Sequence, residues 1–527
     1  KIDCRSVVFA RVFNRRLDLT VLHHIRSVAP TVAIGVVVGV AAACAPAKRA
    51  ESTVTPTAAP IDSAPRLSVA PCRVPSLRYE VRCGTFRVKE DPTTASGREI
   101  SLYFVILPAA EQPPAPNPVF VLQGGPGQAA TDLAEFYGGE SWDLTRRTRE
   151  IVLVDQRGTG RSNPLRCDLG GRESDPQSWM GDMFPVERVR ACRDSLSRKA
   201  DLRLYTTPIA IHDLEQLREA LGYERVNLYG TSYGTRAAMV YARAYPDRVR
   251  TMTLKGVVPP SLVLPTTFAE DTQRSVELLF EDCAKDARCA AAFPKLRADF
   301  DTVIARLGRA PLVAVLRDSA TARVDTVRLT KDGVMTVVRG ALQSTPSAAQ
   351  LPLIFTRAAA GATEPLARMV LQFRRGAAQG LSYGMLFSVS CTEDSPFIDR
   401  NAAARQAAGT YLGTYWVDQL QGACRNWPRG TLPSDYRTFG PLPIPTLLIS
   451  GGTDPATPPT RVAEVQRLFP DNRHLVVRNG SHSFAGMRGC VDAQIMELIE
   501  RGSVRTIDVR CGDEIARPPF AGVAATP

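Results

Sequence analysis

Val226-Asn227-Leu228-Tyr229-Gly230-Thr231-Ser232-Tyr233-Gly234-Thr235 is followed directly by Arg236-Ala237-Ala238-Met239-Val240-Tyr241-Ala242-Arg243. An apolar and β-branched run enters a Gly-x-Ser-x-Gly pentapeptide, and a run of good helix formers leaves it. The pattern predicts a strand, a sharp turn and a helix. A strand that reverses straight into a helix brings backbone against backbone, so Gly230 and Gly234 stand where a Cβ would clash. Ser232 is thereby pushed out at a helix N-terminus with its hydroxyl exposed, as a nucleophile must be. If that reading holds, the rest of the chain has to supply a base, an acid and donors for a developing oxyanion.

Strand-like segments flank this turn on both sides. Ile100 to Leu107 and Pro118 to Leu122 precede it, the second ending in Gln123-Gly124-Gly125-Pro126-Gly127. Ile151 to Val154 runs into Asp155-Gln156-Arg157-Gly158-Thr159-Gly160-Arg161-Ser162, and Ile209 to Leu221 has a helical pattern. Arg250 to Leu254 follows the turn, and Pro445 to Ser450 and Arg473 to Arg478 come near the end. Short runs apolar on both faces, alternating with helices, predict a doubly wound, mostly parallel α/β sheet. In such sheets functional groups gather beyond the carboxyl ends of the strands, where each of these motifs lies. The glycine-rich loop therefore offers an oxyanion hole, with one N–H from Gly125 and one from Tyr233, the residue after the nucleophile.

Between Pro259 and Gly440 the strand rhythm stops and helical patterns take over, with Ser275 to Cys283 and Ala348 to Arg374 as examples. The segment is too long for a loop and is expected to be an inserted, mainly helical cap over the strand ends. The core then comprises residues 71–258 and 441–512, with a tail at 513–527.

Five histidines are present, at 23, 24, 212, 474 and 482. The first two lie in the leader. With a serine on an elbow of this kind, the acid and then the base follow it along the chain, which excludes His212 by order. His474 lies within a strand run. His482 follows Gly480 just past a strand end, where a loop can aim an imidazole at Ser232. Asp454 occupies the corresponding loop after the preceding strand and is expected to hold that imidazole through its Nδ1–H. Asp471, after Phe469-Pro470, fits a turn better. Asp155 comes in the wrong order and is expected to anchor its loop through Arg157 and Arg161.

The chain has 527 residues and a net charge of +12. In residues 1–50 eight Lys/Arg against two Asp leave +6, so half the excess sits in the leader. No basic run with interleaved aromatics occurs, which argues against a nucleic-acid partner. Val28 to Ala43 is a short apolar run after Arg26 and before Cys44-Ala45-Pro46. Residues 1–45 therefore read as a signal segment, with Cys44 as a candidate lipidation site that would attach the protein to a membrane. Residues 46–70, rich in Ala, Pro, Ser and Thr, read as a disordered tether. Apart from Cys4 and Cys44, ten cysteines fall into successive local pairs. In an exported chain they are expected to bond as Cys72–Cys83, Cys167–Cys192, Cys283–Cys289, Cys391–Cys424 and Cys490–Cys511. No cysteine or histidine cluster has metal-ligand spacing, and no cofactor or metal is expected.

Taken together, Gly124-Gly125-Pro126-Gly127, the Asp155 to Ser162 run, the Gly230 to Thr235 elbow, Gly452-Thr453-Asp454-Pro455-Ala456-Thr457-Pro458 and Gly480-Ser481-His482 resemble the α/β-hydrolase serine peptidases related to prolyl iminopeptidases and tripeptidyl aminopeptidases. Gln123 stands where prolyl iminopeptidases carry His, which favours the tripeptidyl branch. The resemblance implies a secreted or lipid-anchored serine exopeptidase, an aminopeptidase that releases short N-terminal peptides or residues from peptide substrates by Ser-His-Asp acyl transfer through Ser232, His482 and Asp454. It also points to Glu393, with Asp394 as second choice, as the group that meets a substrate α-ammonium. An esterase or amidase with the same triad is the alternative, and a non-catalytic surface binding protein a more distant one.

Overall fold

Leu67–Cys72 (β1), Val81–Lys89 (β2), Glu99–Leu107 (β3), Val119–Leu122 (β4), Ile151–Val154 (β5), Val226–Thr231 (β6), Val249–Lys255 (β7), Thr446–Gly451 (β10) and Asn472–Val477 (β11) form one nine-stranded sheet. It is seen in a computed structural model that describes residues 66–317, 322–484, 487 and 489–523. The strand order is β1-β2-β3-β5-β4-β6-β7-β10-β11. The first three strands pair antiparallel and β3 meets β5 antiparallel. From β5 to β11 every pairing is parallel, with β4 between β5 and β6. The order reverses around β4 and β6, which places a crevice beyond their carboxyl ends, where the glycine-rich loop and the elbow both begin.

The apolar runs explain why these strands lie inside. β4 and β5 are buried at every residue. Phe120, Leu122, Val152, Val154, Leu228 and Leu254 belong to one hydrophobic cluster, whereas Val119, Val121, Ile151, Leu153, Tyr229 and Ile449 belong to another. Successive residues of a strand feed opposite faces. The elbow helix Tyr233–Ala244 and the helix Thr207–Ala220 cover the first face through Ala237, Tyr241, Ile211 and Leu214. Trp142 and the helix Cys490–Arg501 cover the second, the latter through Ile495 and Leu498.

Most of the chain between β7 and β10 is helical and has a hydrophobic cluster of its own, built on Val276, Phe280, Phe300, Val303 and Phe355. Phe300 stacks on Phe355 with ring centroids 4.2 Å apart. This segment also contains a two-stranded antiparallel hairpin, Leu312–Arg317 (β8) with Val324–Leu329 (β9), where sequence reading expects no strands. Its burial alternates along β8, with Ala314 and Leu316 inward and Val313 and Val315 exposed. Ala348 to Arg374 is not one helix: Leu351–Ala359 ends, Gly361 turns at φ 98°, and Glu364–Gly380 restarts with a proline in its first turn.

Three further boundaries differ from expectation. Residues 67–70, expected in the tether, are part of β1, paired with β2 from Leu67↔Phe86 to Cys72↔Val81. The helix Tyr383–Glu393, expected in the cap, packs through Met385, Phe387 and Val389 into the same cluster as the elbow helix. Met180, expected in the core, and Phe520, expected in a tail, join the cap cluster. Cys44, the signal segment and residues 46–65 lie outside the described residues. Among the described residues no helix is long and apolar enough to cross a membrane.

Five disulfides close, Cys72–Cys83, Cys167–Cys192, Cys283–Cys289, Cys391–Cys424 and Cys490–Cys511. Alkylation of the denatured, unreduced protein should therefore modify none of these ten cysteines. Mass spectrometry of the labelled peptides checks this, and a labelled cysteine at any of the ten positions would contradict it.

Candidate active site

Ser232 sits between β6 and the elbow helix at φ 56° and ψ −126°, a left-handed conformation rare for a residue with a side chain. The turn cannot relax, because it is crowded on both sides. A Cβ on Gly230 would lie 2.5 Å from the Gly234 carbonyl oxygen, and one on Gly234 would overlap the Leu122 carbonyl at the end of β4. The Ser232 N–H donates to the Lys255 carbonyl at 2.9 Å and continues the β6–β7 ladder. The Ser232 carbonyl accepts from both the N–H and the hydroxyl of Thr235 at 2.8 and 2.7 Å. Thr235 Oγ1 in turn accepts from the Val258 N–H at 2.8 Å, tying the elbow to the chain beyond β7.

Asp454 and His482 come together from the loops after β10 and β11. His482 Nδ1 lies 2.8 Å from Asp454 Oδ2. The carboxylate is fully buried and accepts from Thr457 Oγ1 at 2.7 Å and from the N–H groups of Ala456 and Thr457 at 2.7 and 3.0 Å. Burial alone would raise its pKa. The His482 charge and these hydrogen bonds outweigh burial and hold it at about 2, so Asp454 is ionised throughout the neutral range. A net shift of that size favours the ionised form by about 2 kcal/mol. Thr457 was not singled out from sequence, although a threonine three residues after the Asp is a local capping pattern that would have marked it.

Ser232, His482, Gly125 and Thr457 line one cavity of about 540 Å³. The cap segment contributes Phe268, Arg339, Gln343 and Trp416 to its walls, beside Tyr137 and Lys255 from the core. The cap is fastened to the rim. The Ser382 N–H donates to the Gly127 carbonyl at 2.9 Å, the Ser483 N–H donates to the Gln343 carbonyl at 2.8 Å, and Ser481 Oγ donates to the Leu342 carbonyl. Gln123 donates to the Tyr137 hydroxyl at 2.6 Å. Tyr233 begins the elbow helix, where the first N–H groups have no partner within the helix.

The other two histidines in the described residues stand apart. His474 pairs its Nε2 with Ser450 Oγ at 2.9 Å on the sheet, and burial holds its pKa down to about 4. His212 Nδ1 lies 3.2 Å from the Tyr245 hydroxyl. Asp155 accepts from the Arg161 N–H at 3.0 Å and from Thr131, but the Arg157 side chain turns away to Asp213, at 2.6 and 2.8 Å.

Glu393 and Asp394 do not face the cavity. Glu393 is fully buried and accepts from the Thr207 N–H at 2.7 Å, from Thr207 Oγ1 at 2.8 Å and from the Tyr436 hydroxyl. Thr207 Oγ1 also lies 2.6 Å from the Tyr233 hydroxyl, so this carboxyl buttresses the residue after the nucleophile. Burial raises its pKa against the pull of these donors. Asp394 meets Arg236 of the elbow helix at 3.1 Å and accepts from the Leu264 N–H at 3.0 Å. The two acids do diverge, as neighbours at a helix end must, but both turn inward onto the elbow rather than toward a substrate. No Asp or Glu lines the cavity among the described residues.

Residues 117–308 match the model of the alpha/beta hydrolase fold family, and residues 407–511 match that of a TAP-like protein. Serine protease Hip1 of Mycobacterium tuberculosis is 25% identical over 487 residues, covering 84% of this chain and 90% of its own. The tripeptidyl aminopeptidase of Streptomyces coelicolor is 24% identical over 485 residues, covering 84% of this chain and 85% of its own. The proline iminopeptidase of Xylella fastidiosa is 29% identical over 145 residues, covering 27% of this chain and 33% of its own. With an alpha/beta hydrolase domain and a TAP-like domain on either side of residues 309–406, this protein is an α/β-hydrolase enzyme whose homologues include a serine protease, tripeptidyl aminopeptidases and proline iminopeptidases.

Proposed function

We propose that the protein is an extracytoplasmic serine peptidase that cleaves short peptides near a chain end, with Ser232 as nucleophile, His482 as base and Asp454 as the acid that orients it. The observation that carries this reading is that a strained elbow serine and a histidine held by a buried, ionised aspartate line the same capped cavity. Ser232 Oγ attacks the peptide carbonyl while His482 Nε2 takes its proton, and Asp454 stabilises the imidazolium through Nδ1–H. The N–H groups of Gly125 and Tyr233 receive the oxyanion. His482 then protonates the leaving amine, and water releases the acyl group by the same steps in reverse order.

The preference for chain ends is supported by the cap side chains that wall part of the cavity, and by the tripeptidyl aminopeptidase among the relatives. An extracytoplasmic setting is supported by the five disulfides, and lipidation of Cys44 would tether the enzyme to a membrane.

Ser232→Ala should abolish labelling by a fluorophosphonate, and Asp454→Asn should lower kcat for a tripeptidyl amide by about 10³- to 10⁴-fold with little change in KM. Hydrolysis of simple esters without any cleavage of peptide amides would overturn the peptidase reading. Glu393→Gln should lower the melting temperature. It should also leave the KM ratio between free and N-blocked peptides unchanged, because the carboxyl supports the elbow. A selective rise in KM for free N-termini would instead make Glu393 a substrate-binding group.

A further inference from the structure

The cavity has two cations on its wall and, among the described residues, no anion. Arg339 belongs to the cap helix Lys331–Leu342 and is only 7% exposed. Its guanidinium carbon lies 3.6 Å from the centre of the Phe268 ring and 5.6 Å from that of Trp416, both of which also line the cavity. Its Nε is buried without a hydrogen-bond partner among the described residues. No carboxylate comes within ion-pair distance of it among the described residues. Asp454 and Asp271 are the carboxylates whose field reaches it. Both are engaged elsewhere, Asp454 by His482 and Thr457, Asp271 by Arg461 at 2.8 Å.

Other buried arginines in this protein have acceptors. Arg157 has Asp213 and three backbone carbonyls, and Arg236 has Asp394 and the Leu262 carbonyl. Arg339 has an aromatic shelf and an open cavity. A buried guanidinium without a partner is costly, and stacking on aromatic rings compensates only in part. What the planar fork still lacks is an acceptor that takes two parallel N–H bonds, which is the geometry of a carboxylate.

The place of Arg339 relative to the reacting atoms is fixed by the chain. Leu342 and Gln343, about one helical turn further on, receive hydrogen bonds from Ser481 and Ser483 on either side of His482. Lys255, the second cation, is next to the nucleophile, since its carbonyl accepts from the Ser232 N–H. Its Nζ stands 4.7 Å from the centre of the Phe484 ring. Burial draws its pKa down to about 8 against the pull of Asp454 and Asp492, so it is a cation at neutral pH.

We infer that Arg339 is a carboxylate-binding residue of the catalytic cavity, and that preferred substrates are short peptides carrying a carboxylate there, either a free C-terminus or an acidic side chain. The inference rests on the reading of this cavity as the peptidase site.

Isothermal titration of the full chain carrying Ser232→Ala separates recognition from cleavage. The probes are tetra-alanine as C-terminal acid and as C-terminal amide, and an amidated tetrapeptide with Glu or Gln at its third position. In at least one pair the carboxylate peptide should bind about tenfold tighter or more. Adding Arg339→Met should bring that ratio below about twofold, while Arg339→Lys should retain part of it. Preference for acid over amide identifies the C-terminus as the source, and preference for Glu over Gln the side chain. Arg339→Gln serves as second variant if the Met variant does not fold. Equal binding within both pairs, no binding of any probe, or a preference that survives Arg339→Met and Arg339→Gln would overturn the inference. Product analysis of the same peptides with the unsubstituted enzyme reports separately on peptidase activity, so a protein that binds carboxylates without cleaving them fails the function and keeps this inference.

Discussion

The contact between Gly234 and the Leu122 carbonyl is the constraint on which the site depends. Because the elbow helix starts against the end of β4 with no room for a side chain, Ser232 has to take up positive φ, and the hydroxyl has to point away from the sheet. Such a conformation costs on the order of 1–3 kcal/mol and persists only when its surroundings determine it. Here they do so from several directions. The β6–β7 ladder holds Ser232 through its N–H, Thr235 holds its carbonyl, and Arg236 and Tyr233 are held from below through Asp394 and through Thr207 and Glu393. Two carboxylates in a peptidase cavity would be natural ligands for an ammonium group. In this chain they are spent on keeping a helix in place.

That division of labour leaves the charge around the site asymmetric. The acids lie beneath the elbow or, in Asp454, behind the histidine, each accepting hydrogen bonds from protein donors. The side chains that reach the open space are aromatic, aliphatic, amide and hydroxyl groups, with Lys255 and Arg339 as the charges. Cap and base are also joined directly, since the loop that carries His482 is hydrogen-bonded on both sides to the end of the Arg339 helix. Those two hydrogen bonds fix the loop that carries the imidazole to that helix.

Features set by local chemistry were legible in the sequence. Gly230 and Gly234 mark the elbow because only glycine fits the crossing. Asp454 and His482 follow from their positions after strands in a chain with few histidines, and β4 and β5 are apolar at every residue because both of their faces are covered. Features set by partners far along the chain were not legible. Glu393 and Asp394 look like free acids until Thr207 and Arg236, 186 and 158 residues away, are brought to them. The β8–β9 hairpin is two short strands in a helical neighbourhood, where periodicity carries little weight. Residues 67–70 have the composition of a tether, and only pairing with β2 makes them a strand. Arg339 is one of many arginines by sequence, and its isolation appears only when its surroundings are seen to contain rings and, among the described residues, no acid within ion-pair distance.

The pattern of disulfides has a consequence for the order in which the molecule is made. Each bond joins a cysteine to the next one along the described chain, with separations of 6 to 33 residues. When the polypeptide is oxidised amino end first, each of these ten cysteines meets its native partner before any other unpaired one of the ten, so joining them in order of arrival yields the native set. The chain can therefore acquire its covalent framework without waiting for β10 and β11 to complete the sheet, and without a reshuffling step to correct it.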